Sequence, residues 1–70
     1  MRDKTAQLMA FVMDLAEETA VKACEILGHP CRIRRREGQV VTRANSREQN
    51  DDTRLNLTIK NGVVRSVRRG

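Results

Sequence analysis

The sequence predicts a small α+β domain: one long N-terminal helix packed on a small, mainly antiparallel sheet of three to four strands. Three observations predict it. Apolar residues recur at helical spacing as far as Leu27. A Gly28-His29-Pro30 stop follows. Beyond that stop the hydrophobic period changes to two.

The helix is expected over about residues 4–27, a stretch with no Gly or Pro. Its core-facing stripe is read as Ala23, Ile26 and Leu27, continuing the spacing of Leu8, Phe11 and Leu15. A second stripe runs Met9, Met13, Ala16, Ala20 and Cys24. At 1.5 Å per residue such a helix would be about 35 Å long. A six-residue strand covers only about 20 Å. The sheet would then cover the second half of the helix and leave the first half over. That first half carries the continuous apolar run Leu8-Met9-Ala10-Phe11-Val12-Met13. A helix apolar all round is buried all round. A homodimer is therefore expected, with Leu8, Phe11, Val12 and Leu15 at the interface.

Gly28 supplies a left-handed helix cap, and Pro30 prevents continuation. Cys31, Ile33 and Arg35 then alternate with Arg32, Arg34 and Arg36. Glu37-Gly38-Gln39 reads as a turn and Val40-Val41-Thr42 as a β-branched strand. Residues 43–53 are polar and read as a loop. The segment from Arg54 to Lys60 alternates cleanly, with Leu55, Leu57 and Ile59 on one face. Asn61-Gly62 is a two-residue hairpin signal, and Val63 to Arg68 returns antiparallel. The expected core joins Leu55, Leu57, Ile59, Val67 and Ile33 to Ala23, Ile26 and Leu27.

Seventy residues form a single domain, 1–70, that buries only about 60% of its unfolded surface. Such a chain cannot enclose a deep dry pocket and keep a core, so an enzyme is not expected. Glu17-Glu18 point apart on a helix and Asp51-Asp52 sit in a polar loop, so neither makes a catalytic pair. No catalytic residue, cofactor or metal site is expected. Cys24 and Cys31 read either as two small buried hydrophobes or as a single bridge. No signal peptide or membrane span is recognisable, which points to the cytoplasm.

Charge divides the chain. Residues 1–31 carry a net −2 and residues 32–70 a net +7, within an overall +5. Arg32, Arg34 and Arg36 would share one strand face, extended by Arg54, Lys60, Arg65, Arg68 and Arg69. This basic face suits an acidic protein or, as the alternative function, nucleic acid bound through its phosphates. With one aromatic residue in the chain, base stacking is not expected.

The order helix, Pro, strand, long loop, Arg-Leu strand, Asn-Gly turn, strand, Gly resembles the potato inhibitor I family of serine-protease inhibitors, and more closely its bacterial elastase-inhibitor relatives. The matching text is Gly38-Gln39-Val40-Val41-Thr42, Arg54-Leu55-Asn56-Leu57, Asn61-Gly62-Val63-Val64 and Val67-Arg68-Arg69-Gly70. It falls within roughly residues 31–70. The resemblance implies a non-enzymatic protein-binding module whose loop occupies a protease as a slowly released substrate. By position, Thr42 precedes the specificity residue, Arg43 enters the specificity pocket and Ala44 follows the scissile bond. Arg54 matches an arginine that props the loop from beneath. Arg43 suits a trypsin-like protease, whose pocket carries a carboxylate. The alternative partner is a host regulatory protein, as for a small phage protein that blocks a host factor. The loop is several residues longer than the family's. Asn56 stands at the plant members' second propping arginine, and Arg69 at the bacterial members' cysteine.

Overall fold

The structure is a computed structural model that describes residues 3–43, 48, 49 and 51–70. It is α+β, with two short helices and a mixed four-stranded sheet: α1 Lys4–Val12, α2 Glu17–Ile26, β1 Cys31–Arg36, β2 Gln39–Val40, β3 Leu55–Lys60 and β4 Val63–Arg69. The strand order is β2-β1-β3-β4. The outer pairs are antiparallel, but the central pair, β1 with β3, is parallel.

The single long helix is corrected to two helices. The break lies at Met13–Ala16, where neither Gly nor Pro marks it. Asp14 takes the left-handed region, φ 65°, which Asp tolerates better than most residues. The freed backbone pairs with the outer edge of β4. Asp14 N–H donates to the Val64 carbonyl (2.9 Å), Val64 N–H to Leu15 (2.9 Å), and Glu17 N–H to Gly62 (2.9 Å). The break resolves the length mismatch seen in the sequence. Two helices of 9 and 10 residues are each about 15 Å long and fit over six-residue strands. It also covers part of an edge that would otherwise be open to pairing.

The other ends follow local rules. Asp3 caps α1, its Oδ1 accepting from Thr5 N–H (3.0 Å) and Ala6 N–H (3.2 Å). The end of α2 closes with His29 N–H to the Cys24 carbonyl (2.9 Å) and Gly28 N–H to Glu25 (3.0 Å), with Gly28 at φ 65°. That pair of bonds satisfies carbonyls the helix leaves over. Both hairpin turns have two residues at positive φ: Glu37-Gly38 and Asn61-Gly62. These conformations match the right-handed twist of the strands they join. The Glu37 carboxylate accepts from Asn61 N–H (2.5 Å), tying the two turns together.

The core lies between the helices and one face of the sheet. It consists of Leu8, Val12, Ala20, Cys24, Leu55, Leu57, Ile59 and Val64, flanked by Met9, Leu15, Cys31, Ile33 and Val67. Two expectations are corrected here. The α2 face on the sheet is Ala20 and Cys24, whereas Ile26 and Leu27 are 75% and 66% exposed. The break resets the helical phase, so the stripe extrapolated from Leu8 does not continue into α2. Leu8 and Val12 cannot form a dimer interface, because they are buried inside their own chain. Leu15 is half-buried against the same core, and Phe11 alone of the four stands out, 62% exposed.

Candidate functional site

The sheet's second face is covered by neither helix. Its residues follow from strand register, and register depends on two bulges. In β1, Ile33 pairs with Leu57 but Arg35 pairs with Thr58, so Arg34 is the extra residue. In β4, Thr58 pairs with Ser66 but Ile59 pairs with Val64, so Arg65 is the extra residue. Each bulge shifts the alternation by one.

The β1 bulge corrects the basic face. Arg32 and Arg34 line the open side as expected, but Arg35 joins them in place of Arg36. Arg36 turns to the helical side and forms a two-bond pair with Glu17 at the start of α2 (2.7 and 2.8 Å). On β4, Arg68 lines the open side, while Arg65 is exposed outside that lining. Arg69 contributes to the lining, and its guanidinium reaches the Asp3 cap of α1.

The result is an open trough of about 600 Å³, bordered by Arg32, Arg34, Arg35, Arg54, Arg68 and Arg69, with Asn56, Thr58 and Ser66 between them. Among the described residues, Glu48 is the one carboxylate side chain in this lining. The lining that sequence reasoning missed, Arg35, comes from the bulge. No local feature distinguishes Arg34 from Arg35 in a run of consecutive arginines.

The described ends of the connection from β2 to β3 are both tied to the sheet, the outgoing one through the β1 backbone and the returning one across the open face. On the outgoing limb, Val41 N–H (2.8 Å) and Thr42 N–H (3.3 Å) both donate to the carbonyl of Arg34, the bulge residue. The expected strand Val40–Thr42 is shorter than read, since β2 ends at Val40. Thr42 is half-buried and Arg43 exposed; Ala44 lies outside the described residues.

On the returning limb, both guanidinium nitrogens of Arg32 engage the Glu48 carboxylate, one of them at 2.9 Å. The Arg32 Nε donates to Asn56 Oδ1 (2.5 Å), which holds the guanidinium in place. Arg54 donates from Nη2 to the Gln49 carbonyl (3.1 Å) and from Nε to the Gly70 carbonyl (2.7 Å), where Asn56 Nδ2 also donates (3.0 Å). Its Nη1 lies 3.7 Å from Glu48. Asp51 closes the limb: its Oδ1 accepts from Thr53 N–H (2.9 Å) and Thr53 Oγ1 (2.7 Å). His29 Nε2 donates to the Thr53 carbonyl (2.5 Å), joining the end of α2 to the same limb.

Charge follows contact. The Arg32 guanidinium holds the Glu48 carboxyl below its usual range, and Arg36 does the same for Glu17. The hydrogen bond from Arg69 lowers Asp3. On the covered face, burial pushes the Cys24 thiol up to about 12, with Cys31 beside it adding to the shift. Both cysteines are free thiols.

Among the described residues no helix is long and apolar enough to cross a membrane. Comparison with protein-family models, with curated proteins and with solved structures returns no match for this chain.

Proposed function

We propose that this chain is a protein-binding module that presents the 41–54 connection, with Arg43 as its principal contact, to a serine protease of trypsin-like specificity. The observation that carries this reading is the fastening of the returning limb: Arg32 clasps Glu48, and Arg54 holds Gln49 to the sheet. A loop fixed before binding loses less conformational freedom when a partner takes it. A protease can then occupy it without readily completing turnover. The arrangement agrees with the resemblance to the potato inhibitor I family, in which an arginine at the position of Arg54 supports the loop from beneath. The parallel pairing of β1 with β3 also favours it, because a long connection is needed to join parallel strands.

The test is inhibition of a panel of serine proteases. Trypsin-like members should be inhibited by the native chain, and Arg43→Ala should lose at least about a hundredfold in affinity, since Arg anchors dominate interfaces of this kind. No inhibition of any trypsin-like enzyme would end the inhibitory reading.

A second reading is favoured by one observation: among the described residues, six arginines face a single carboxylate side chain around the trough. Nucleic acid phosphates would suit that surplus, and binding would weaken steeply with salt. Arg34→Glu with Arg35→Glu should then remove nucleic-acid binding while leaving protease inhibition in place. A salt-independent affinity would count against this reading.

A further inference from the structure

The outer side of the helical layer carries a second concavity, of about 410 Å³, lined by Phe11 on α1 and by Glu18, Thr19, Lys22, Ala23 and Ile26 on α2. It lies away from the Ala20 and Cys24 side of α2 that packs on the sheet. Phe11 and Ile26, 62% and 75% exposed, are its largest apolar members. Where the described residues bury eight apolar side chains in the core, leaving two this large in water is a substantial loss of burial.

We infer that the occupant of this groove is a second copy of the chain, docked by a twofold axis that sets the two α2 helices antiparallel. Two observations on charge select that occupant. First, the groove carries one acid and one base a helical turn apart, Glu18 and Lys22, and neither forms an ion pair among the described residues. A twofold interface must be self-complementary. An axis at the level of the Thr19–Ala23 turn places Glu18 of each copy beside Lys22 of the partner subunit, about 3 Å apart along the helix axis. The small Thr19 and Ala23 side chains then meet at the closest approach, and Phe11 and Ile26 of each copy cover the other's groove. Second, the chain carries +5 overall, but its first 31 residues carry a net −2. The helical side is therefore the less basic side, and the two arginines that reach it, Arg36 and Arg69, are paired with Glu17 and Asp3. The homodimer expected from the sequence is kept in this way, with its interface moved from Leu8, Val12 and Leu15 to the outer face of α2.

The geometry has a consequence for function. The groove and the arginine-lined trough lie on opposite sides of the sheet. A dimer formed through the helices leaves both troughs uncovered, so on the proposed function it presents two binding faces at once.

Sedimentation of the full chain between about 10 and 200 µM tests the inference, a range chosen for weak self-association. The native chain should move from monomer to dimer across it. Phe11→Asp should remain monomeric with an unchanged circular-dichroism spectrum, since Phe11 contributes nothing to the core. Glu18→Lys and Lys22→Glu should each weaken the dimer about tenfold, by placing like charges opposite each other. An equimolar mixture of those two variants should regain dimer, because each supplies the charge the other lacks. A native chain that stays monomeric at the highest concentration would overturn the inference. So would a mixture that associates no better than either variant alone.

Discussion

The two faces of the sheet are built from the same strands, yet they carry opposite chemistry. The covered face packs Leu55, Leu57, Ile59 and Val64 against the helices with almost no exposure. The open face carries arginines, Asn56, Thr58 and Ser66, and meets the returning limb of the 41–54 connection. Neighbouring residues on one strand thus face the core and the trough separately. Leu57 belongs to the core and Thr58 to the trough. The β1 bulge makes the division sharper, because it decides which arginine of a consecutive run faces which side. Arg35 goes to the trough, and Arg36 goes to α2.

The largest expected effect comes from breaking the covered face. Leu57→Ala should cost about 2–5 kcal/mol by lost burial and a residual cavity. A domain of this size has little stability in reserve, so the variant should be largely unfolded in mild denaturant. Thr58→Ala, one residue along and on the other face, should stay within about 0.5 kcal/mol of the native chain. Equal losses at the two positions, measured by urea denaturation, would show that the faces are not separate in this way.

The helix break comes next. Asp14→Ile puts a β-branched residue at φ 65° and should cost about 1–2 kcal/mol. Asp14→Gly should be neutral or slightly stabilising. If Asp14→Ile were harmless, the left-handed link between the helices would not be the native conformation.

A smaller effect separates the two adjacent arginines. Arg36→Ala loses the Glu17 pair and should lower thermal stability slightly. Arg35→Ala should leave stability unchanged and weaken only a ligand of the trough. The pairs also set a pH dependence. Asp3, Glu17 and Glu48 have lowered folded-state pKa values. Their contribution is present above the ordinary carboxylate values of 3.8 and 4.5 and is lost as pH falls through the lower folded values. The denaturation midpoint should therefore be flat above about pH 5.5 and fall below about pH 4.5. The smallest change is on the covered side. The Cys24 thiol, raised to about 12, should react with a disulfide reagent at pH 8 only when the chain unfolds.

Much of the fold was legible because local signals agreed with it. The Gly28 cap, the Asn61-Gly62 turn and the alternation from Leu55 to Ile59 each appear in the structure as read. The helix break was not legible, since its cause is tertiary. The backbone at 14–17 bonds to β4, some 50 residues away, and no local breaker records that. Missing the break put Ile26 and Leu27 in the core and Leu8 and Val12 at a dimer interface. The site was half legible. Period two placed Arg32 and Arg34 on the open face, but a bulge among four arginines has no sequence signature. Arg54 was read as an extension of the basic face and does line the trough, whereas the Glu48 partner of Arg32 was not read at all, since it depends on how the polar loop returns.

The most direct measurement of the central claim, that arginines of the open face fasten the connection, is cleavage after Glu48 by a glutamate-specific endoprotease, followed by mass spectrometry. With the carboxylate clasped by Arg32 and the Gln49 carbonyl held by Arg54, the Glu48–Gln49 bond of the native chain should be cut slowly. Arg32→Ala and Arg54→Ala should each speed that cut at least about tenfold, a release of local protection, and Arg65→Ala should not. Equal rates in the native chain and in both brace variants would contradict the account.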